Sequence, residues 1–170
     1  MKQTYLFTIL SEDKKGLLSI LTSMLNRKLI DIESISASRT VIRSQVLVTI
    51  EVVMEPAEVR FVLLRMKNII EVLQVEACLM KDAWYQKVAL YTIEKEGYNS
   101  ELYSKLQKFG AVMVGYYHDE IIIQKTGRDE DILQLYNELE GKYLKRFRKS
   151  AAMSLKPLEE DQSSVISTAA

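Results

Sequence analysis

The chain has 170 residues, 48% hydrophobic and 27% charged, with 23 basic and 23 acidic side chains and a formal net charge of zero. That length allows one domain or two small ones, and the charge balance argues against a dominant nucleic-acid or anionic-membrane surface. One cysteine, Cys78, excludes an internal disulfide and a cysteine-built metal cage, and no apolar run is long enough to span a bilayer. Met1–Thr4 leads straight into a strand-like segment without a secretory signal, so a cytoplasmic setting is expected.

Tyr5–Leu10 is short, aromatic and β-branched and reads as a strand, with Tyr5, Phe7 and Ile9 on one face and Leu6, Thr8 and Leu10 on the other. Ser11-Glu12-Asp13-Lys14-Lys15-Gly16 then turns the chain into a helix striped by Leu17, Leu18, Leu21, Met24 and Leu25. A strand end feeding a glycine and a helix N-terminus leaves N–H groups without intrahelical partners. With the positive end of the helix dipole, these suit a small anion such as an amino-acid carboxylate. Plain turn chemistry also accounts for a glycine there.

Ile30–Ser38 alternates apolar and polar as a second strand, with a phase slip at Glu33-Ser34 that predicts a bulge. Gln45–Val53 is a third strand. Pro56 opens a second helix carrying Val59, Val62, Leu63 and Met66. Glu71–Leu79 is a fourth strand, with Leu73, Val75, Ala77 and Leu79 as its apolar side. The order βαββαβ with right-handed crossovers predicts an α+β, ferredoxin-like unit: an antiparallel sheet in the order 4-1-3-2 with both helices on one face. Strand two is then an edge, and the other sheet face is half covered, so self-association is expected.

The pattern repeats. Gln86–Glu94 is strand-like, Glu96–Ser100 is a turn with cap candidates, and Leu102, Leu106 and Phe109 stripe a helix stopped by Gly110. Ala111–Tyr117 and Glu120–Lys125 form a hairpin around His118-Asp119. Thr126-Gly127-Arg128 leads into a helix with Ile132, Leu133, Tyr136 and Leu139; after Gly141, Tyr143–Phe147 reads as a charged edge strand. This predicts two units, 1–80 and 84–155, with the boundary near Lys81-Asp82-Ala83, and a disordered tail over 156–170.

Nothing in the sequence composes a catalytic site. The single histidine, His118, reads as a solvated turn residue, no His/Cys cluster has metal-ligand spacing, and there is no phosphate-binding glycine loop. RNA-recognition modules share the βαββαβ order, but they need aromatics on both central strands, and Gln45–Val53 has none. Lys142–Lys149 is basic with interleaved aromatics. It reads as a solvated edge strand, or as a surface for an acidic partner.

Asp13-Lys14-Lys15-Gly16-Leu17-Leu18, followed by Ile30-Asp31-Ile32-Glu33-Ser34-Ile35, resembles the ACT-domain family, and more closely the regulatory small subunit of acetohydroxyacid (acetolactate) synthase. Ile69–Val75, Val88-Ala89-Leu90 and Thr126-Gly127 extend the resemblance over residues 4 to 155. It implies an N-terminal ACT domain followed by an ACT-like domain, in a homodimer. Such a subunit is not an enzyme by itself. It activates the catalytic large subunit and confers feedback inhibition by a branched-chain amino acid, valine first. No cofactor is expected in this chain; thiamine diphosphate, Mg and FAD would belong to the large subunit. The implied effector site is Asp13, Lys14, Lys15, Gly16, Leu17 and Leu18 of one chain with Asp31 and Ile32 of its neighbour. Leu29 and Asp31 stand where the family has glycine and asparagine. A free-standing amino-acid-sensing ACT protein acting on another partner is the alternative.

Overall fold

A computed structural model describes residues 1–154 and the backbone of Val165–Ser167. Two compact units are present. Among the described residues, one comprises Met1–Tyr85 with 152–154 and 165–167; the other is Gln86–Ala151.

The first unit runs β1 (Gln3–Glu12), α1 (Leu17–Asn26), β2 (Asp31–Arg39), β3 (Gln45–Met54), α2 (Pro56–Lys67) and β4 (Val72–Leu79). Its four core strands are ordered β4-β1-β3-β2, all antiparallel, the ferredoxin-like arrangement with β2 at an edge. Period-two alternation places Tyr5, Phe7 and Ile9 against the helices, where they pack with Leu17, Leu21, Leu25, Val59, Val62, Leu63 and Met66. Leu6, on the opposite face, is equally buried, under Met80, Ala83, Tyr85 and Ala152. That small cluster moves the boundary past the expected Lys81-Asp82-Ala83 to Tyr85, and it draws Ala152 back to the first unit. The expected bulge in β2 is present: the register with β3 slips between Ile32 and Ser34, which places the Ser34 hydroxyl 2.9 Å from the buried Glu51 carboxylate.

The second unit repeats the order with β5 (Tyr85–Glu94), α3 (Ser100–Lys108), β6 (Val112–Tyr117), β7 (Glu120–Gly127), α4 (Asp129–Leu139) and β8 (Leu144–Lys149). Its sheet is ordered β6-β7-β5-β8, again 4-1-3-2 read from the last strand. Ala89, Tyr91, Ile93, Ile121 and Ile123 meet Leu102, Leu106, Ile132, Leu135 and Leu139 in its core. Buried inside is Lys87, only 2% exposed, with its Nζ 2.6 Å from Asp129 at the start of α4; Lys149 also bonds Asp129. Burial alone would push the Asp129 carboxyl up, but the hydrogen bonds from Lys149 and Lys87 outweigh it and hold the group below its usual range.

Three expectations are corrected. Leu18 and Leu133 are 42% and 48% exposed, because the buried stripes run Leu17-Leu21-Leu25 and Ile132-Leu135-Leu139. Leu73 is half exposed because it is the extra residue of a bulge, where Leu10 pairs with Gln74 and Ser11 with Val72. The expected disordered tail, 156–170, lies outside the described residues except for Val165–Ser167. Those three form a short strand on β4, whose outer edge is free to pair and whose new neighbour is β-branched. A two-residue strand, Met153–Ser154, precedes them.

Candidate functional site

The turn between β1 and α1 is fastened at three points. The Ser11 hydroxyl, itself buried, donates to the Glu71 carbonyl at 2.7 Å, and the Glu12 N–H donates to the same oxygen at 2.9 Å. The Asp13 N–H donates to the Ser44 carbonyl at 2.8 Å, tying the turn to the β2–β3 hairpin. Gly16 is the N-cap residue, at φ 90° and ψ −8°, with no side-chain cap. A side chain there would meet no neighbour, so what asks for glycine is the left-handed backbone, not a lack of space.

This geometry leaves donors open. The Leu17 N–H folds back to the Lys14 carbonyl at 3.4 Å, and the Ile20 N–H makes the first helical bond, to Gly16. Among the described residues, the N–H groups of Lys15, Gly16, Leu18 and Ser19 have no acceptor within the chain. They lie at the positive end of a ten-residue helix whose first turn carries no acidic side chain. Open N–H groups at such a helix end can cradle a carboxylate or a similar small anion.

The charges around the cradle are settled locally. Asp13 would repel an anion, but the Arg39 guanidinium, from the end of β2, bonds its Oδ2 at 2.7 Å. Glu12 takes Lys14 at 3.6 Å. Lys15 has no ion-pair partner among the described residues and is the cation left beside Gly16. Leu18 is half exposed next to the cradle and offers an apolar contact, while Leu17 is buried in the core. Arg39 and the Ser44 carbonyl were not singled out from the sequence, because both reach the turn from the far end of β2 and the hairpin after it.

Asp31 and Ile32 lie elsewhere. β1 and β2 flank β3 in parallel, so Glu12 pairs with Gln45 while Asp31 pairs with Val53. Eight residues of β3 separate the two levels, about 26 Å at 3.3 Å per residue. One chain therefore does not bring Asp31 and Ile32 to the Gly16 turn. Asp31 is exposed and ion-paired to Lys2 at 3.2 Å, and Ile32 is half-buried. Leu29, just before β2, has φ 53°: it occupies the left-handed region that a glycine adopts without strain.

Other candidates resolve as structural. Tyr5 and Phe7 are buried and cannot stack bases. The basic run is largely neutralised within its unit, since Lys145 pairs with Glu94 at 2.5 Å, Arg146 with Glu120 and Lys149 with Asp129. His118 sits in the β6–β7 hairpin, its ring 4.4 Å from that of Tyr117. Burial, with Asp82 and Glu76 nearby, raises the Cys78 thiol to about 11 and leaves it unreactive. Among the described residues no group of three His, Cys, Asp or Glu side chains could hold a metal, and no helix is long and apolar enough to cross a membrane.

The fold and its turn define a tandem of two ferredoxin-like units, the first with open N–H groups at its Gly16 helix end. That tandem is the fold of the acetolactate synthase small subunit from Thermotoga maritima, whose crystal structure superposes with a TM-score of 0.78, covering 92% of this chain and 99% of that one at 17% sequence identity. Weaker likenesses are the regulatory subunit of aspartate kinase from Thermus thermophilus (TM-score 0.45, 14% identity, 82% of this chain and 95% of that one) and the ACT domain of GTP pyrophosphokinase from Chlorobium tepidum (0.40, 14%, 45% and 99%). Neither bears on the fold assignment. No protein-family model and no curated protein sequence matches the chain.

Proposed function

We propose that this chain is the non-catalytic regulatory subunit of an acetolactate synthase. In this reading it binds and activates the catalytic large subunit and confers feedback inhibition by a branched-chain amino acid, with valine the first candidate. The observation that carries the reading is the open cradle of the Gly16 turn, set in a tandem fold shared over 92% of the chain with a subunit of that enzyme. The thiamine diphosphate, Mg and FAD of the reaction belong in this reading to the catalytic subunit.

The register argument supports a site built from two chains. β2 is an edge strand, and a two-fold antiparallel pairing of β2 with its copy runs the start of one strand beside the end of the other. Arg39, at the end of β2, already bonds Asp13 in the turn. The partner's Asp31 and Ile32 would then arrive at the Gly16 end. The effector carboxylate takes the open N–H groups with Lys15, its ammonium takes the partner's Asp31 in competition with Lys2, and its branched side chain lies between Leu18 and the partner's Ile32. A charge-assisted contact of that kind contributes about 1.5–3 kcal/mol. Because the ligand touches two chains, its binding biases how they sit together, and so acts on an enzyme bound elsewhere.

Mixing the protein with a catalytic large subunit should raise acetolactate formation several-fold and make it sensitive to valine, leucine or isoleucine. No complex on gel filtration and no stimulation would remove the synthase reading. Amino-acid binding that persists without such a complex would favour a free-standing sensor acting on another partner.

A further inference from the structure

The helix layer of the first unit carries a groove that the Gly16 site does not use. α1 and α2 run antiparallel over the sheet, as β1 and β3 do beneath them. Leu17, Leu21 and Leu25 face the core, which leaves Ile20, Met24 and Arg27, at i, i+4 and i+7, on the side toward α2. The α2 stripe that answers them is Phe61, Arg65 and Asn68, away from the buried Val59, Val62, Leu63 and Met66. Between the helices lies a cleft of about 560 Å³, with Ile20, Met24 and Ile69 as its apolar lining. Leu18, beside the Gly16 turn, does not line it. Ile20, Phe61 and Leu64 are 44–47% exposed. Apolar side chains exposed at helical spacing on both walls are what a two-helix layer offers to a third helix.

The charge of this layer is one-sided. Over residues 17–29 and 56–70 the charged side chains are Arg27, Lys28, Arg60, Arg65 and Lys67 against Glu58 alone, in a chain whose total is neutral. The basic run of β8 is answered by carboxylates, but among the described residues Arg27, Lys28 and Arg65 form no ion pair. The Lys28 ammonium lies 4.6 Å and the Arg65 guanidinium 5.2 Å from the centre of the Phe61 ring, so two cations gather at one apolar point of the groove. Phe61 is the one aromatic residue of the two helices, so the layer lacks the stacking platforms of a nucleic-acid surface.

We propose that the α1–α2 groove seats an amphipathic helix with acidic flanks, supplied by the catalytic large subunit. This rests on the function proposed above and names the surface by which the chain would hold that partner. The helix lays an apolar stripe on Ile20, Met24, Phe61 and Leu64, and its flanking carboxylates meet Arg27 and Arg65, whose planar guanidinium forks suit them. Charge selects the occupant: a neutral or basic helix would leave both guanidiniums without a counter-charge at the rim of the contact. The groove also shares α1 with the Gly16 turn, one wall of the first and the receptive end of the second. An effector held at that end and an enzyme helix held along the same element bias one body, which is the differential contact that coupling requires.

The test uses the full chain with a catalytic large subunit as the probe. Arg27→Glu together with Arg65→Glu should weaken the complex at least about tenfold while the melting profile of the free chain holds. Raising the salt concentration should weaken the wild-type complex and leave that of the double variant nearly unmoved, because the screened charges are then already gone. A benzophenone amino acid in place of Leu64 keeps both arginines and reads the same contact independently: its adduct should map to an acidic amphipathic helix of the large subunit. Equal affinity of wild type and double variant would overturn the docking and leave the regulatory reading standing. So would an adduct on a second copy of this chain, or on a segment without carboxylates. A wild type that neither binds nor activates the large subunit would remove both.

Discussion

The two units share strand order and crossover, yet they treat the first strand-to-helix junction in opposite ways. In the second unit the Asn99 side chain accepts from the Leu102 N–H at 2.8 Å, so the α3 N-terminus is capped from within. In the first, Gly16 supplies no side chain and the equivalent donors stay open. A glycine N-cap in place of a capping side chain gives up roughly a few tenths of a kcal/mol. The same topology thus yields a self-satisfied junction in one half and a receptive one in the other. The second unit instead invests its polar chemistry inside, where Lys87, Lys149 and Asp129 tie β5 and β8 to α4.

Breaking that internal tie should have the largest effect. Asp129→Asn removes the carboxylate that bonds the buried Lys87 ammonium and should cost about 3 kcal/mol. Hydrogen exchange should show faster opening across Gln86–Ala151 while β1–β4 keep their protection. The acid response follows the same group. Its folded pKa lies below the unfolded value of about 3.9, so its stabilisation is complete above that pH and is lost as pH falls through the folded value. Urea midpoints of the second unit should drop below about pH 4, and Asp129→Asn should remove that part of the pH dependence.

Smaller changes act on the junctions themselves. Asn99→Ala opens the capped junction and should cost about 1 kcal/mol without creating effector binding, since it leaves φ unchanged. Leu29→Gly relieves a left-handed leucine that is 84% exposed and buries nothing, and should raise stability by about 1 kcal/mol in chemical denaturation. Smallest of all is Cys78, whose alkylation should stay slow at neutral pH and accelerate only as pH approaches 11.

Most of the architecture was legible because it is written in local periods. Strand alternation, two helical stripes and glycine stops specified βαββαβ twice, and the slip at Glu33-Ser34 announced its bulge. What escaped were features set by distant partners. Leu6, Met80, Tyr85 and Ala152 meet only in three dimensions, so neither the boundary at Tyr85 nor the return of Ala152 to the first unit could be read from composition. Leu133 fits a helical period as well as Leu135 does, and only the sheet chooses between them. At the candidate site the glycine and its open helix end were visible in the sequence. The Arg39 and Lys2 ion pairs were not, because each joins residues more than 25 positions apart.

The central claim is that the Gly16 turn receives the carboxylate of a branched-chain amino acid. Calorimetric titration of valine into the wild-type chain and into Gly16→Asp tests it directly. Aspartate tolerates the left-handed backbone and meets no neighbour, so the fold persists while a negative charge enters the cradle. Valine should bind the wild type, and affinity should fall at least a hundredfold in the variant with its melting profile within a few degrees. Equal binding to both proteins would contradict the account.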